Sequence, residues 1–488
     1  GECAYGTERL LSKDFRIAAD DVRTSILLKT PGNPSEEYVL VAGADGALKP
    51  ETKGKLPLSV VRKLVEKDSV LTLELTVRAD ETAWYSIGQA LSTDIPHEDC
   101  LFYMPGFWYR KNLRSPETAP SFHTSDSWLV REDRLSTPLT GLFNEKTGEW
   151  LTVMRVDDFA SDALAAQSSG EVMLGEKTSI GFTGFRNSDS FAEIAFGFPY
   201  REAPRTYLRK RTLAPPVTAF ERLEEGEVRT LVWEIRKGRS ASWSDFVAAV
   251  WENSFAILKP SPVPTKYTPE TAKAVLSRYF DRSYVEQYPL KYFSSPGMKT
   301  ADCLSNAKAE VGFIGRVLLN AFNAIEYGRE ASRPGLVRKG ETILDSYLAN
   351  GFSDGGLFLE YVNFSSMKER PFSIRRQSEA VYAMLNYLHY EREAGRRHPE
   401  WEQRIRAVLD RLLMVQNEDG SFPRKFNDSL KVIDASGGST SSAVLPYAMA
   451  SVYFGEKNYL ETARRASSYI EHSLIAPADY FSSTLDAD

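Results

Sequence analysis

The first half of the chain alternates apolar and polar residues with a period of two, the pattern of strands that bury one face. Between 70 and 77, for example, leucines alternate with threonine and glutamate. Turn signals such as Pro31–Pro34 and Lys146–Gly148 separate successive runs. Many short strands at this spacing predict a large β-sandwich of about 12 strands or more. The clearest runs are 38–41, 70–77, 150–156, 194–198 and 230–236.

A helix and a proline-rich segment end this half. The pattern of Trp243–Phe255 predicts a helix, and Ser242 is placed to cap its first turn. Lys259–Pro264 then carries three alternating prolines, which cannot continue a helix. The predicted organisation is therefore a β-sandwich domain over 1–258, a linker over 259–269 and a helical domain over 270–488.

After the linker, the period of the apolar residues changes to that of helices. In one segment Gln377, Val381, Leu385 and Leu388 form a single stripe, which predicts a buried helix face. Pro399 suits the first position of the next helix. The predicted helices are 269–281, 303–327, 334–349, 374–394, 399–415, 440–454 and 457–474.

A weak internal repeat lies within these helices. Leu344 leads to Asp354–Leu357, and Leu409 leads to Asp419–Phe422, at a constant offset of 65 residues. Glycine after aspartate allows a sharp turn, and the apolar residue that follows packs back onto the helices. Repeated helix pairs of this kind stack into a ring or a solenoid.

The segment Gln416–Pro423 (QNEDGSFP) resembles the loops of α/α toroids. An N-terminal β-(super)sandwich followed by a C-terminal α/α toroid is similar to the layout of glucuronyl hydrolases, β-glucuronidases, glucuronyl epimerases and polysaccharide lyases. Within that group, Ile374–Ala380 and Phe481–Asp486 most resemble glycoside hydrolase family 154 β-glucuronidases. The resemblance implies an enzyme that removes a terminal, acidic sugar without a cofactor. It also implies a bacterial protein that is periplasmic or secreted after loss of a signal peptide.

One feature departs from this resemblance. A complete ring of six helical hairpins needs about twelve helices and well over 300 residues. Only about 220 residues follow the linker, enough for about seven helices. An incomplete toroid, an open helical array and a chain cut before its end all remain open.

Charge and composition narrow the function classes. The net charge of −6 argues against nucleic acid or an anionic membrane as the main partner. No apolar run reaches the roughly 18 residues that a membrane span needs. Three cysteines and five scattered histidines show no metal-ligand spacing, so we expect no metal. Aromatic residues make up 12% of the chain, which suits a carbohydrate partner because aromatic rings stack on sugar faces.

Hydrolysis of a glycosidic bond needs two carboxyl groups, one as acid and one as base or nucleophile. Acidic residues in loops on one rim of a toroid are natural candidates. A structural explanation also exists for each, because aspartate before glycine forms turns and glutamate early in a helix meets the positive end of its dipole. The candidates are Asp354, Glu360, Glu379 and Asp434.

A uronate substrate also needs a cation for its carboxylate, ideally a bidentate arginine. Arg375, Arg376 and Arg424 lie at loop ends of the predicted helices, although each also fits a solvated basic surface. Gln377 continues the first of these turns and could bind a sugar hydroxyl, and Tyr361 follows one candidate acid.

The β half offers a further aromatic segment. Pro105 and Gly106 break any strand, which predicts that Trp108 and Tyr109 lie on a loop beside two cations. Such a loop could stack on a sugar, and the alternative is an edge strand with these rings in the core.

Two other function classes remain open. A polysaccharide lyase would abstract a proton with Tyr361 or Tyr447 and neutralise the uronate with Asn363. A non-catalytic carbohydrate-binding protein would have no catalytic rate, so replacing any of the candidate carboxyl groups by the amide would leave its affinity for glycans intact.

Overall fold

The computed structural model describes most of the chain, and its contacts divide it into two compact units between Ser261 and Pro262. The start of the helix predicted over 303–327 lies partly outside the described residues, as does the motif Phe481–Asp486. The described ranges are 21–43, 46–52, 54–67, 70–113, 117–157, 169–209, 212–262, 264–294, 307–312, 316–365 and 371–476.

Strands dominate the described part of the first unit, and 17 of them form one sheet that is antiparallel except where β12 meets β18. β16 and β17 pair in a separate two-stranded antiparallel sheet. The strands are β1 (Val22–Lys29), β2 (Glu36–Ala42), β3 (Ala47–Pro50), β4 (Leu58–Lys67), β5 (Val70–Ala79), β6 (Ala83–Pro96), β7 (Cys100–Met104), β8 (Trp108–Arg110), β9 (Trp128–Arg131), β10 (Leu139–Asn144), β11 (Glu149–Arg155), β12 (Gly170–Met173), β13 (Phe182–Ser188), β14 (Phe191–Phe198), β15 (Arg201–Glu202), β16 (Thr206–Arg209), β17 (Thr212–Ala214), β18 (Val217–Leu223) and β19 (Val228–Arg239).

Two stretches of the large sheet face each other. The rings of Phe196 on β14 and Trp233 on β19 lie 5.2 Å apart, although these strands are not neighbours in the sheet. Phe102 on β7 and Phe185 on β13 stack at 3.9 Å in the same way. Since alternate residues of both stretches are buried in one apolar cluster, strands that are not neighbours in the sheet share one core.

A single helix, α1 (Trp243–Leu258), follows the last strand of this unit. Ser242 caps it by accepting a hydrogen bond from the Asp245 backbone N–H. Phe246 packs on the sheet, with its ring 5.4 Å from that of Phe143. The helix ends at Lys259, which adopts a left-handed conformation, and the prolines follow.

The described part of the second unit contains seven helices and three small sheets around one apolar cluster. This is fewer than the roughly twelve helices of a complete six-hairpin ring. The helices are α2 (Pro269–Arg282), α3 (Val317–Glu330), α4 (Pro334–Asn350), α5 (Ile374–Glu393), α6 (Pro399–Leu413), α7 (Ser441–Phe454) and α8 (Lys457–Ile470). The strands are β20 (Tyr284–Val285), β21 (Tyr292–Phe293), β22 (Lys308–Glu310), β23 (Tyr361–Asn363), β24 (Phe372–Ser373), β25 (Lys425–Phe426) and β26 (Val432–Asp434).

The helix predicted over 303–327 is wrong in its first part. Residues 308–310 form β22, which pairs with β23 in an antiparallel ladder, and the helix begins only at Val317. Ala309 is buried while Lys308 is exposed, the alternation of a strand. The chain then passes close to α5 at Gly312, where a β-carbon would lie 2.8 Å from the Arg376 side chain.

The repeat at an offset of 65 residues corresponds to two helix–loop–helix units. α4 leads through one loop to α5, and α6 leads through a second loop to α7. The two aspartate–glycine turns are held differently. Asp419 accepts hydrogen bonds from Ser421 in its own turn, whereas the first turn is held by Asp428 of the other loop, which accepts from the Gly355 N–H at 2.9 Å.

Gly420 offers a test of the second turn. It has a φ of +91°, and a β-carbon there would overlap the Arg465 carbonyl; Gly395 has a φ of +76° but open space around it. The left-handed conformation costs an L-residue about 1–2 kcal/mol. We expect Gly395→Ala to destabilise the protein by about that amount and Gly420→Ala by clearly more, measured as urea midpoints by circular dichroism. Equal midpoints for the two variants would show that the close contact is absent.

Candidate functional site

The loops of the second unit converge on the N-terminus of α5. Ser373 in β24 pairs with Lys425 in β25, which pairs with Asp434 in β26. On the other side, β22 and β23 place Glu310 opposite Tyr361. This arrangement gathers most of the candidate residues of the second unit around one helix end.

Local hydrogen bonds explain why α5 begins there. The Ser373 hydroxyl caps the helix by accepting from the Arg376 N–H at 3.2 Å. The Ile374 N–H donates to the Arg424 carbonyl at 3.3 Å, so the loop that carries Arg424 is tied to the helix end.

Glu360 lies directly under this helix end and is only 4% exposed. Its Oε1 accepts hydrogen bonds from the Ser373 N–H at 2.7 Å and from Gln377 Nε2 at 3.0 Å. Its Oε2 is buried and has no hydrogen-bond partner among the described residues. One oxygen of the carboxyl is therefore fixed in place, and the other is free to carry a proton.

Burial raises the pKa of Glu360 to about 8, because the charged form loses its hydration in the protein interior. The hydrogen bonds from Gln377 and Ser373 and the charge of Arg376 act in the opposite direction, while Glu310 adds to the rise. The carboxyl group is therefore mainly protonated at neutral pH.

Gln377 does not have the role that the sequence suggested. It is fully buried, and its Oε1 accepts from the Phe358 N–H at 3.0 Å while its Nε2 donates to the Phe358 carbonyl and to Glu360. Gln377 therefore holds the Glu360 carboxyl group in place. Because its amide already has these partners, it is not available to a sugar hydroxyl.

Asp434 lies at the far strand of the same three-stranded ladder, in a more open position. Its Oδ1 accepts from the Ser436 N–H at 3.0 Å and from the Ser436 hydroxyl at 2.7 Å, and Arg424 Nη1 lies 3.2 Å from its Oδ2. Partial burial opposes ionisation, but the Ser436 hydrogen bonds and the Arg424 charge outweigh it and lower the pKa of Asp434. Asp434 is therefore ionised at neutral pH.

Arg424 has a free hydrogen-bonding position beside Asp434. Its Nη1 contacts the carboxylate, but its Nη2 is buried and lacks any partner among the described residues. A buried guanidinium nitrogen without an acceptor is costly, and an anionic ligand would satisfy it.

The other charged candidates form ion pairs around α5. Arg376 lies 3.4 Å from Glu310, and Arg375 lies 3.3 Å from Glu379, which Arg316 also approaches at 3.7 Å. Glu310 and Arg316 were missed because the sequence placed them inside the helix predicted over 303–327. Alternation around the buried Ala309 was the signal that would have identified the strand.

Asp354 and Tyr361 are placed differently from each other. Asp354 is exposed at the tip of its turn, which Asp428 holds from the other loop through Gly355 and Ser353. Tyr361 is half-buried and lies opposite Glu310 in the ladder of β22 and β23.

The two aromatic candidates of the first unit form a strand, which corrects the prediction of an open loop. Trp108 is fully buried, its Nε1 donates to the Arg110 carbonyl at 2.8 Å, and its ring packs 5.0 Å from that of Phe185. Tyr109 is half-buried, with its ring 5.6 Å from that of Tyr103. β8 pairs with β7, and the Trp108 ring is buried in the apolar core of the first unit.

In the described ranges, no group of three or more histidine, cysteine, aspartate or glutamate side chains is arranged to hold a metal ion. Within those same residues, no helix combines the length and the apolar character that crossing a membrane requires.

Comparisons with known proteins give only distant likenesses. No protein-family model matches the chain, and no curated protein matches it. A D-mannose isomerase is 12% identical over 43% of this chain and 53% of its own, with a TM-score of 0.34. The unsaturated glucuronyl hydrolase of Bacillus sp. GL1, responsible for glycosaminoglycan degradation, is 12% identical over 41% of this chain and 55% of its own, with a TM-score of 0.32. A polysaccharide lyase is 10% identical over 95% of this chain and 76% of its own, with a TM-score of 0.38.

The chain spans about half the length of the first two of these proteins. Likenesses this distant assign neither a family nor a function to the chain.

The raised pKa of Glu360 predicts a pH dependence of stability. The folded protein holds a proton up to about pH 8, whereas the unfolded chain releases it near 4.5. The stabilising contribution of Glu360 to the free energy of unfolding is therefore fully present below pH 4.5 and is lost as the pH rises through 8. We expect the free energy of unfolding of Glu360→Gln to fall less than that of the wild type between pH 5 and 8. Parallel curves for the two proteins would contradict the buried, protonated carboxyl.

Proposed function

We propose that this protein is a glycoside hydrolase that removes a terminal uronic sugar, with Glu360 as the general acid and Asp434 as the general base. The observation that carries this proposal is the opposite environment of the two carboxyl groups. Glycoside hydrolysis needs one protonated and one ionised carboxyl, and paired groups whose pKa values are pushed apart identify the two roles.

In the proposed reaction, the Glu360 proton passes to the glycosidic oxygen as its bond to the anomeric carbon breaks. Asp434 accepts a proton from a water molecule, whose oxygen bonds to the anomeric carbon. The products are a free uronic acid and an alcohol on the remaining glycan. Return of the proton from Asp434 to Glu360 through solvent resets both groups.

The ladder supports a wide separation of the two carboxyl groups. Asp434 lies two strands from Ser373, whose N–H holds Glu360, and two strand spacings amount to about 10 Å between backbones. This backbone spacing argues against the ~5–5.5 Å carboxyl separation of retaining enzymes, so we expect inversion of the anomeric configuration. The anomer released first therefore reports on the mechanism.

Arg424 is the proposed anchor for the sugar carboxylate. Its Nη2 has an unmet donor beside the proposed base, which would place the acidic group of the sugar next to the anomeric centre. Arg375 and Arg376 add positive charge at the same helix end, although both already contact glutamates.

A lyase reaction receives less support from the site. Tyr447, one of the two tyrosines considered as the base, is buried, and its hydroxyl donates to the Leu409 carbonyl at 2.8 Å. Burial raises its pKa well above the ordinary value, which disfavours the tyrosinate that would abstract a proton. Tyr361 remains as the alternative base, and a lyase product would absorb ultraviolet light where a hydrolysis product does not.

Two isosteric variants test the acid and the base. We expect Glu360→Gln and Asp434→Asn each to lower kcat by about 100-fold or more on aryl β-glucuronides, since each removes one proton-transfer step. Glu418→Gln, on an exposed position of a neighbouring loop, is the matched control and should retain full activity. Wild-type kcat/KM should decline above about pH 8, where Glu360 loses its proton. No turnover across aryl glycosides and acidic polysaccharides would instead indicate a binding protein.

A second prediction concerns recognition of the sugar carboxylate. We expect Arg424→Lys to raise KM for an aryl glucuronide by about 10-fold or more, because a lysine ammonium cannot reproduce the planar fork that contacts Asp434 through one nitrogen and offers the other to the sugar carboxylate. The ratio of activity on the glucuronide to that on the matching glucoside should fall in the variant. An unchanged ratio would remove Arg424 from carboxylate recognition.

A further inference from the structure

A small pocket lies on the first unit, and its lining includes none of the residues assigned to catalysis. Two of the residues that line it have little or no side chain and are paired across neighbouring strands, Ser25 of β1 and Gly88 of β6. Its volume is about 170 Å³. That is room for about six water molecules at ~30 Å³ each, and less than the ~300 Å³ of a site for a whole drug-sized ligand.

Arg201 forms one side of this pocket. It is only 8% exposed, its Nε donates to the Ser86 hydroxyl at 3.0 Å, and its guanidinium lies over the Phe182 ring at 5.0 Å. Its Nη2 is buried and meets no hydrogen-bond acceptor among the described residues. A cation is thus held rigidly in place with an unused donor.

Arg155 of the same unit shows how a buried arginine is otherwise satisfied. It is 1% exposed, and its guanidinium contacts Glu132 at 2.6 Å and Asp157 at 2.9 Å. Arg201 has no carboxylate within 4 Å in the described part of the chain, although it is buried almost as deeply. A purely structural role for its charge therefore lacks the usual counter-ion.

The surrounding charge is also positive. Arg186 lines the pocket, is half-buried and has no acidic partner within 4 Å among the residues described. Arg23 lines it as well, and its charge is offset by Glu193. Glu37 is the one acidic residue of the lining, and it is exposed.

We propose that this pocket is a binding site for an oxyanion, either the carboxylate of a sugar acid or an inorganic anion such as sulfate. The Arg201 guanidinium, which lines the pocket and has one donor unused, supplies the cation, Arg186 adds charge, and the absence of a side chain at Gly88 leaves the space. A β-carbon at Gly88 would lie 3.6 Å from Arg201 Nη1 and from the Phe182 ring, an ordinary contact. A longer side chain there would extend into the volume that the anion occupies.

The test is calorimetric titration of the whole chain with three probes: sodium sulfate, sodium glucuronate and methyl glucoside. We expect the two anions to bind with one-site stoichiometry and a Kd that rises with sodium chloride, and the neutral sugar not to bind. Tighter binding of glucuronate than of sulfate would identify a sugar acid as the source of the anion, and the reverse order would identify an inorganic anion. All titrations use the double variant Glu360→Gln/Arg424→Gln as the parent protein. In this variant the proposed catalytic site neither hydrolyses a substrate nor binds the anion.

Three variants in that background locate the site. Gly88→Leu should block the pocket, and Arg186→Gln and Arg201→Gln should each weaken binding by about 10-fold or more, the loss expected for one charged hydrogen bond. Arg222→Gln, at a half-exposed arginine paired with Glu224 elsewhere on the sheet, is the matched control and should bind as the parent does. If Arg201→Gln does not fold, Gly88→Leu and Arg186→Gln decide the result.

The proposal is overturned if neither anion binds, or if Gly88→Leu binds them as tightly as the control does. Activity on glucuronides plays no part in this experiment, so loss of the proposed hydrolase function would leave its result unchanged.

Discussion

The hydrogen bonds between Gln377 and the segment around Phe358 and Glu360 are the constraint on which the helical unit depends. One buried amide closes a short loop onto the first turn of α5 and also fixes one oxygen of the carboxyl. Because these groups are shielded from water, an unmade bond would leave a buried polar atom without a partner, which is costly. Ser373 belongs to the same arrangement, since it caps the helix with its hydroxyl and holds Glu360 with its N–H.

The difference between Glu360 and Asp434 follows from this geometry. Glu360 is enclosed beneath the helix and receives too few hydrogen bonds to its charged form to offset burial, so it keeps its proton. Asp434 is only partly buried, and Ser436 and Arg424 stabilise its charged form enough to outweigh the effect of burial. Two residues of the same chemistry therefore take opposite charge states near one helix end, because their surroundings differ.

Helix positions followed closely from the sequence, because caps, prolines and the spacing of apolar residues are local signals. Pro399 and the stripe of Val381, Leu385 and Leu388 in α5 each mark an element that the structure contains. The failures depend on distant contacts. Residues 308–310 form a strand because β23 pairs with them.

The same distinction between local signals and distant contacts applies to the residues of the candidate site. The sequence identified Glu360, Asp434 and Arg424 as candidates from residue type and loop position, and the fold brings all three to one helix end. It could not show that Gln377 faces inward to hold an acid, nor that the core takes up Trp108, because both depend on packing partners more than 10 residues away.

The hydrogen bond that the Gly355 N–H donates to Asp428 links the two loops. Asp428 belongs to the connection between β25 and β26, the hairpin that ends at Asp434, yet it holds the turn of the preceding repeat. Arg411 in turn donates to the Asp428 carbonyl, so α6 is tied to the same point. We therefore expect the two loops to open together, so that amides of both would exchange with solvent at similar rates.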